Sequence, residues 1–432
     1  MTNYDIIILG GGPGGYSAAF RAAELGKKVA IVDDNNLGGV CLNWGCIPTK
    51  SLLKNAEAMD TINASKSYGI SVDNISVDFK FILDKSTKAR QRLSRGLHHQ
   101  VKKHKIDFHA GYGTFVDKNT ITVNAKNLTA ETFIIATGST PKRLPSLDVE
   151  QGKIIYAKDI FQMSTFPKSI TIIGAGAIGV EFAYFFNSFG VQVTLIEAKE
   201  NILPQEDIEV SNWVEKVFKK KNIKVQTNTI AETVDDEKVL ISIGVEGNSK
   251  KIGLKNLGIE FKENNHINVD ACGRTSVDNI YAVGDVIGSP WLAHVSQAEG
   301  IFVAEYLCGL DPKKIDYESI PACTYSKPEV ASIGATEQEL VKKNIEFKVA
   351  KSFFVANGKA VAVSSTDGFI KILVSPQNKI LGAHIVGSNA TEMISEISII
   401  KSNNLTIQNI FDSIHPHPTF SEAIFETLLQ LK

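Results

Sequence analysis

The chain has 432 residues, which is enough for about three domains with buried cores. Its 46 Lys and Arg residues balance 47 Asp and Glu residues, so we expect no nucleic-acid partner and no membrane-surface partner. No apolar run reaches the ~18 residues of a transmembrane helix. The N-terminus passes directly into a strand without room for a signal peptide, and five cysteines then suit a reducing compartment. A cytoplasmic location is predicted.

A first nucleotide-binding pattern occupies the N-terminus: a strand, Gly10-x-Gly12-x-x-Gly15, a helix, a second strand and Asp33. Gly10 permits a tight turn, Gly12 lets the backbone approach a pyrophosphate, and Gly15 lets the helix pack on the strand. The helix N-terminus offers N–H donors to the phosphates, and Asp33 is placed to accept from a ribose 2′-OH. The pattern predicts a Rossmann-like domain.

Two cysteines, Cys41 and Cys46, follow within the run GGVCLNWGCIPTK of residues 38–50. Two cysteines cannot supply four zinc ligands, and the other three show no paired spacing, so no metal site is expected. A purely structural disulfide is the alternative, but its short loop would add little stability to a chain of this size. We favour a disulfide that is made and broken in turnover.

The stretch from Cys46 to about Ser65 is predicted to be a helix. A thiolate at its N-terminus would gain from the helix dipole, which lowers the pKa of the thiol. Lys50 lies about one turn further on and either faces the same site or is a solvated lysine. Glu181, in the first turn of a later helix, is either a favourable dipole partner or a partner for Lys50.

The first pattern is repeated from residue 169 as a strand, Gly174-x-Gly176-x-x-Gly179, a helix, a strand and Glu197. An acidic residue at the strand end favours a ribose 2′-OH over a 2′-phosphate, and therefore NAD over NADP. Lys199 nearby is the feature that an NADP site would use. The repeat predicts a second dinucleotide-binding domain.

Other segments organise the rest of the chain. Small residues at Thr137, Gly138 and Ser139 follow a predicted strand and let the backbone pass close to a cofactor. A long amphipathic helix with a basic end, Asp78–Lys105, is interpreted as structural rather than nucleic-acid binding. From Ile320 the pattern changes to strands, turns and helices without a nucleotide fingerprint, which predicts an α+β domain.

Four stretches taken together resemble the pyridine nucleotide–disulfide oxidoreductases: Gly38–Lys50, Gly174–Phe182, Thr275–Val286 and His415–Glu422. The resemblance covers essentially the whole chain. It implies an α/β fold with two Rossmann-like dinucleotide-binding domains and a C-terminal α+β dimerisation domain. The implied limits are 1–142, completed by 270–319, for FAD; 143–269, shortened, for NAD; and 320–432 for the interface.

The resemblance also implies roles for individual residues. Cys41 would exchange with the substrate, Cys46 would contact the flavin as a thiolate, and His417, oriented by Glu422, would be the base. His415 is the structural rival of His417. The implied FAD residues are Gly10, Gly12, Gly15, Asp33, Lys50, Gly113, Asp285 and Ala293, with residues 137–139 alongside, and the implied NAD residues are Gly174, Gly176, Gly179, Glu197 and Gly244. In this family the base reaches the partner subunit's disulfide, so a homodimer is implied.

The implied reaction is oxidation of dihydrolipoamide by NAD⁺, with the lipoyl group carried on the acyltransferase of a 2-oxoacid dehydrogenase or on a glycine-cleavage carrier protein. One alternative is an NADPH-dependent reductase of another disulfide, such as glutathione. The other is a non-catalytic flavin-binding protein, which the first of three departures from the family pattern motivates. Residues 226–238 are shorter than usual, so an antiparallel meander is expected to be missing, and Val245 follows Gly244 where many relatives carry Arg. Asp33 replaces the more usual Glu.

Overall fold

The computed structural model describes residues 2–34, 37–145, 147, 149–150 and 152–432. The predicted loop between the first two domains therefore lies partly outside the described residues. The strands are β1 (Thr2–Leu9), β2 (Val29–Asp33), β3 (Asp107–Ala110), β4 (Thr114–Asp117), β5 (Thr120–Val123), β6 (Lys126–Ile135), β7 (Ser139–Pro141), β8 (Ile154–Ile155), β9 (Ser169–Ile173), β10 (Gln192–Ile196), β11 (Lys224–Gln226), β12 (Lys238–Ile241), β13 (Val245–Gly247), β14 (Ile280–Ala282), β15 (Pro321–Thr324), β16 (Val330–Gly334), β17 (Lys348–Phe353), β18 (Phe369–Val374) and β19 (Ile380–Val386).

The helices are α1 (Pro13–Glu24), α2 (Gly39–Asn43), α3 (Cys46–Asn63), α4 (Phe79–Lys103), α5 (Ala157–Ile160), α6 (Ala177–Ser188), α7 (Ile208–Lys220), α8 (Ala293–Leu307), α9 (Glu337–Lys342), α10 (Gly358–Ala362), α11 (Ala390–Ser402), α12 (Ile407–Phe411) and α13 (Glu422–Leu428). Among the described residues, none of these helices is long and apolar enough to cross a membrane. The chain divides into two compact units.

The first unit contains Met1–Ser51, Lys80–Lys142 and Gly244–Ile315. Its main sheet has the order β3-β2-β1-β6-β5-β4, and β14 also pairs with β6. The central strands β2, β1, β6 and β14 run parallel. The apolar run of β1 is buried on both faces, because Ile6 and Ile8 join one hydrophobic cluster while Ile7 and Leu9 join the other. This is the parallel α/β architecture that the first pattern predicted.

A turn at Gly111 separates β3 from β4. Gly111 has a φ of +151°, and a Cβ on this residue would stand 2.7 Å from the Asn124 side chain. The glycine therefore allows the close turn between the two strands.

The second unit contains Leu52–Phe79, Arg143–Ile243 and Asp316–Lys432. One of its sheets is parallel, with the order β11-β10-β9-β12-β8. The described residues between β11 and β12 form no strand, as the short spacing there predicted. The second sheet is antiparallel, with the order β15-β16-β19-β18-β17, and it carries the predicted α+β pattern.

The domain limits inferred from the sequence remain a prediction. Residues 244–269, which the sequence assigned to the NAD-binding domain, fall in the first unit. There β13 forms a two-stranded antiparallel sheet with β7. The parallel sheet of the second unit ends with β12, so the second nucleotide-binding pattern is contained in about 100 residues of that unit.

A buried ion cluster lies within the second unit around Lys371. This lysine is fully buried, and its Nζ lies 3.0 Å from Asp207 Oδ1, 2.8 Å from Glu209 Oε1 and 2.5 Å from Glu337 Oε2. Burial lowers the pKa of Lys371, but the surrounding carboxylates outweigh burial and raise it. The lysine therefore stays charged because its partners are complete.

Glu206 borders this cluster and gives stability a pH dependence. Its Oε1 accepts a hydrogen bond from Ser332 Oγ at 3.1 Å, whereas its buried Oε2 has no partner among the described residues. Burial raises the pKa of Glu206 to about 7. The folded chain then binds a proton that the unfolded chain releases above pH ~4.5, so stability falls as the pH rises from about 4.5 to 7.

We expect Glu206→Gln to remove this loss, because the amide stays neutral at every pH. At pH 8 the variant should be more stable than the parent by roughly 1–3 kcal/mol, and at pH 5 the two should be similar. Thermal unfolding at both pH values measures the difference. Glu232→Gln, at an exposed position, is the control. An equal gain at pH 5 and pH 8 would contradict the assignment.

Candidate active site

The first glycine pattern forms a tight loop between β1 and α1. A Cβ on Gly10 would stand 2.2 Å from Ala136 O, and a Cβ on Gly15 would stand 1.9 Å from Gly10 O. Both glycines are therefore required by the protein's own packing. A Cβ on Gly12, the N-cap of α1, would make only an ordinary contact at 3.8 Å. Close packing within the protein does not account for Gly12, which fits the close approach of a ligand.

The segment that carries the two cysteines is anchored to this loop. Gly38 N donates to Gly11 O at 2.7 Å, and a Cβ on Gly39 would stand 2.7 Å from Gly12 Cα. Gly39, at φ +59°, is the first residue of α2 and so begins the helix that carries Cys41. The cysteines are thereby held beside the N-terminus of α1, where a bound pyrophosphate would lie.

Cys41 lies in α2, and Cys46 is the first residue of α3. Gly45 brings them together, because a Cβ on Gly45 would stand 2.8 Å from Val40 O. Both cysteines are thiols in this structure. A hydrogen bond to Cys46, together with burial, raises the pKa of Cys41 well above its usual range, while the charge of Lys50 acts in the opposite direction. The predicted pair and Lys50 therefore do meet at one site.

One residue of this site was not predicted. Tyr16 lies on α1, and its hydroxyl accepts a hydrogen bond from Gln297 Nε2 of α8 at 2.8 Å. Burial raises the pKa of Tyr16, and the nearby Cys41 and Cys46 raise it further. No local pattern predicts this contact, because a tyrosine on an apolar helix usually belongs to the core.

The small residues after β6 meet Asp285 and Asn248, the residue that follows β13. Thr137 Oγ1 donates to Asn248 O at 2.8 Å, and Asn248 N donates to Gly138 O at 2.9 Å. Ser139 Oγ donates to Asp285 Oδ2 at 2.8 Å. Burial raises the pKa of Asp285, although the hydrogen bond from Ser139 opposes the shift. Asn248 was not predicted and completes this group.

Gly113 and Ala293 are placed by neighbouring elements of the first unit. A Cβ on Gly113 would stand 3.1 Å from Val32 of β2, so this glycine lies beside the strand that ends at Asp33. Ala293 is the first residue of α8, where backbone N–H groups have no partner within the helix. Both positions suit cofactor contacts, and their roles remain predictions.

The second glycine pattern repeats the geometry of the first. A Cβ on Gly174 would stand 2.4 Å from Ser242 O, and a Cβ on Gly179 would stand 2.0 Å from Gly174 O. A Cβ on Gly176, the N-cap of α6, would meet nothing within 4 Å. As in the first pattern, the outer glycines are needed for packing, while the middle one is not.

The acidic residues of the two patterns are held alike. Asp33 Oδ2 accepts from Gly11 N at 2.5 Å, and Glu197 Oε2 accepts from Ala175 N at 2.8 Å. Glu197 Oε1 also accepts from Lys199 N at 3.0 Å, so the main chain of Lys199 supports the carboxylate. A carboxylate oxygen accepts more than one hydrogen bond, so both groups can still receive a ribose hydroxyl.

The two candidate histidines of the second unit, His417 and His415, differ in solvent exposure. His417 Nδ1 lies 2.8 Å from Glu422 Oε1, and the His417 side chain is 77% exposed. Glu422 Oε2 also accepts from Thr419 N at 2.7 Å; this bond first, and then His417, lower the pKa of Glu422. His415 pairs with Glu396 at 2.7 Å, but its side chain is only 10% exposed. The exposed His417 can reach another molecule, whereas His415 cannot.

Glu181 and Gly244 occupy positions that the sequence did not specify. Glu181 is buried within α6 and accepts from Tyr325 N at 3.0 Å, which gives it a packing role. Its pairing with Lys50 remains a prediction. Gly244 has a φ of +96°, and its carbonyl oxygen accepts from Lys142 N at 3.0 Å. Its predicted contact with NAD remains a prediction.

These residues fit two bound dinucleotides. Each glycine pattern ends at a helix N-terminus whose middle glycine leaves space for a phosphate, and each has a carboxylate one strand away. The cysteines adjoin the first pattern. The first pattern therefore suits the cofactor that reacts with thiols, and the second suits the cofactor that exchanges electrons with it.

Substitution of Gly15 tests the packing of the glycine loop between β1 and α1. Gly15→Ala should lower the unfolding free energy by about 3 kcal/mol or more and abolish FAD retention, because its Cβ cannot occupy the position of Gly10 O. Gly96→Ala, in an open position of α4, should instead stabilise the chain by up to ~1 kcal/mol. Thermal unfolding and the ratio of flavin to protein measure both. A stable, flavin-loaded Gly15→Ala protein would contradict the packing described.

Comparison with known families agrees with this geometry. Residues 4–300 match the pyridine nucleotide-disulphide oxidoreductase family, and residues 320–428 match the dimerisation domain of the same family. The chain therefore belongs to the pyridine nucleotide-disulphide oxidoreductases. The α/β fold with a dimerisation domain that the sequence predicted is confirmed.

Individual relatives narrow the class. The chain is 40% identical to the dihydrolipoyl dehydrogenase of Bacillus subtilis, with 99% of this chain and 98% of the relative aligned. It is 39% identical to the dihydrolipoyl dehydrogenase of Zymomonas mobilis, with 99% and 97% aligned. The alignment with the Bacillus subtilis protein spans 464 positions, whereas this chain has 432 residues. The alignment therefore contains gaps in the sequence of this chain.

Solved structures share the fold. LpdA from Mycobacterium tuberculosis superposes with a TM-score of 0.93 at 23% identity over 100% of both chains. The HOCl-induced flavoprotein disulfide reductase RclA from Escherichia coli superposes with a TM-score of 0.90 at 24% identity, over 99% of this chain and 100% of that one. These similarities establish the fold alone.

Proposed function

We propose that this chain is an NAD-dependent dihydrolipoyl dehydrogenase: it oxidises dihydrolipoamide with NAD⁺ through FAD and a Cys41–Cys46 disulfide. The observation that carries the proposal is the cysteine pair anchored to the first glycine loop. The dihydrolipoyl dehydrogenases, at about 40% identity over nearly the whole chain, support the choice of substrate. When bound, FAD would carry two electrons from the dithiol to NAD⁺.

The exchange step is a thiol–disulfide reaction. A thiolate of dihydrolipoamide attacks Cys41, the S–S bond between Cys41 and Cys46 breaks, and the second substrate thiol then displaces Cys41. The substrate leaves as the cyclic disulfide, and both cysteines are left reduced. Two electrons then pass to NAD⁺, which becomes NADH, and one proton is released. This balances dihydrolipoamide + NAD⁺ → lipoamide + NADH + H⁺.

We assign the proton transfer to His417. Only a thiolate attacks a disulfide, so a base must take the proton of the substrate thiol. The Glu422 carboxylate is an acceptor, so His417 Nδ1 donates to it and Nε2 carries the lone pair in the neutral ring. Glu422 therefore fixes the tautomer and orientation of the base, while the exposure of His417 leaves it accessible to a substrate.

The proposal includes a homodimer in which His417 serves the cysteine pair of the partner subunit. The match of residues 320–428 to a dimerisation domain supports it. The natural substrate would be a lipoyl group on an acyltransferase or carrier protein. A reducing compartment such as the cytoplasm suits a disulfide that is reduced and reoxidised in every turnover.

Steady-state assays test the proposal. Purified protein with dihydrolipoamide and NAD⁺ should form NADH, and NADP⁺ should be a much poorer acceptor because Glu197 would oppose a 2′-phosphate. Oxidised glutathione with NADPH should give no reaction above background. Glutathione reduction without dihydrolipoamide oxidation would replace the proposed function with that of another disulfide reductase, and no turnover of either would leave a non-catalytic flavoprotein.

A further inference from the structure

The solvent face of α4 carries a line of positive charge that the site described above does not use. Six residues, called the basic stripe, recur at intervals of three or four: Lys85, Lys88, Arg92, Arg95, His99 and Lys102. That spacing places them on one face over ~25 Å of helix. All six are exposed, whereas Ile82, Ser86 and Val101 on the opposite face are buried.

The needs of the helix itself do not explain this charge. Phe79–Lys103 contains eight Lys or Arg residues and one acidic residue, within a chain whose net charge is −1. The helix dipole accounts for cations in the last turn, such as Lys102, but not for Lys88, Arg92 and Arg95. In the part of the chain that the structure describes, none of these three pairs with a carboxylate. A surface evolved for solubility alone mixes the two signs.

The basic stripe lies beside the cysteine segment. Ser86, which is fully buried, donates a hydrogen bond from Oγ to Pro48 O at 3.1 Å, and Pro48 lies two residues after Cys46 in α3. Lys85 is the neighbour of Ser86 in sequence, so the stripe begins at this contact. Phe81, 62% exposed, lies one turn before Lys85 on the same face. An aromatic anchor and arginines beside a reactive site are typical of a protein-docking surface.

We propose that the basic stripe docks an acidic face of the protein domain that carries the lipoyl group. This rests on the proposed function, in which the dithiol arrives on a carrier. Free dihydrolipoamide is uncharged and has no need of the stripe, whereas an acidic carrier would be steered onto it and would deliver its arm next to α3. A nucleic acid is disfavoured, because the chain as a whole has no excess of positive charge.

Charge reversal tests the stripe. The triple variant Lys88→Glu, Arg92→Glu, Arg95→Glu is compared with a control triple at exposed lysines elsewhere: Lys220→Glu, Lys224→Glu, Lys255→Glu. The substrates are free dihydrolipoamide and the dihydrolipoylated domains of the organism's own acyltransferase and glycine-cleavage carrier. For the stripe variant kcat/KM should fall roughly tenfold or more with the preferred domain at low salt, and the difference should shrink at high salt.

Turnover of free dihydrolipoamide should be unchanged in both triples, which also shows that they are folded. The milder variant Lys88→Gln, Arg92→Gln, Arg95→Gln should lie between the parent and the charge reversal. Unchanged carrier turnover in the stripe variant, or an equal fall in the control triple, would overturn the proposal. So would RNA binding that depends on the stripe while carrier turnover does not. Failure of the unmodified protein with free dihydrolipoamide would instead refute the proposed function.

Discussion

Cys46→Ser should abolish oxidation of dihydrolipoamide while the protein keeps its FAD. Cys46 begins α3 and hydrogen-bonds Cys41, so its loss leaves one thiol where the exchange needs a disulfide. Serine is nearly the same size, and the packing at Gly39 and Gly45 that shapes the loop is untouched. We expect kcat to fall by roughly 10⁴-fold or more, with little change in Tm.

The control for this variant is Cys272→Ser, at a cysteine of the same unit that has no partner thiol. It should retain nearly full activity. Steady-state NADH formation measures activity, the flavin spectrum measures FAD content, and thermal unfolding measures stability. Near-native lipoamide turnover in Cys46→Ser would refute the disulfide assignment, and loss of FAD with activity would reduce Cys46 to a structural role.

His417→Ala should slow the dithiol half-reaction by about 10²- to 10⁴-fold and leave the pyridine nucleotide half-reaction nearly intact. The reason is that His417 is needed only to take the proton of the substrate thiol. The carboxylate of Glu422 remains held by Thr419 N in the variant, so the loop should keep its shape. Rapid-mixing measurements with dihydrolipoamide and with NADH separate the two half-reactions.

His415→Ala is the matched control. His415 is largely buried against Glu396 and packs 5.8 Å from the Phe425 ring, so its removal should lower Tm more than His417→Ala does. It should affect the two half-reactions equally. If His417→Ala slows both half-reactions to the same extent, or if His415→Ala has the larger effect on the dithiol step, then His417 is not the substrate base.

The elements that depend on local chemistry were predictable from the sequence. Each glycine pattern lies between a strand and a helix, as the sequence predicts, because glycine and apolar periodicity act over a few residues. Cys41, Cys46 and Lys50 come together as expected, since all three lie within a stretch of ten residues, 41–50. The His417–Glu422 pair is equally local.

Contacts between distant segments were not predictable. Tyr16 and Gln297 are 281 residues apart, and Asn248 joins residues 137–138 across more than 100 positions. Nothing in the local pattern marks such pairs, because they depend on how strands are ordered in the sheet. The buried cluster of Lys371 was missed for the same reason, since Lys371 lies on β18 while its carboxylates come from α7, the N-cap of α7 and the first residue of α9.

An anaerobic titration of the yellow protein with dihydrolipoamide, followed by NAD⁺, tests the central claim most directly. We predict a new long-wavelength absorption band without full bleaching of the flavin, because reduction of the disulfide leaves a Cys46 thiolate beside it. NADH should then appear on addition of NAD⁺. A flavin spectrum that dihydrolipoamide leaves unchanged would contradict the account, because the cysteine pair would then not be in electronic contact with both substrate and FAD.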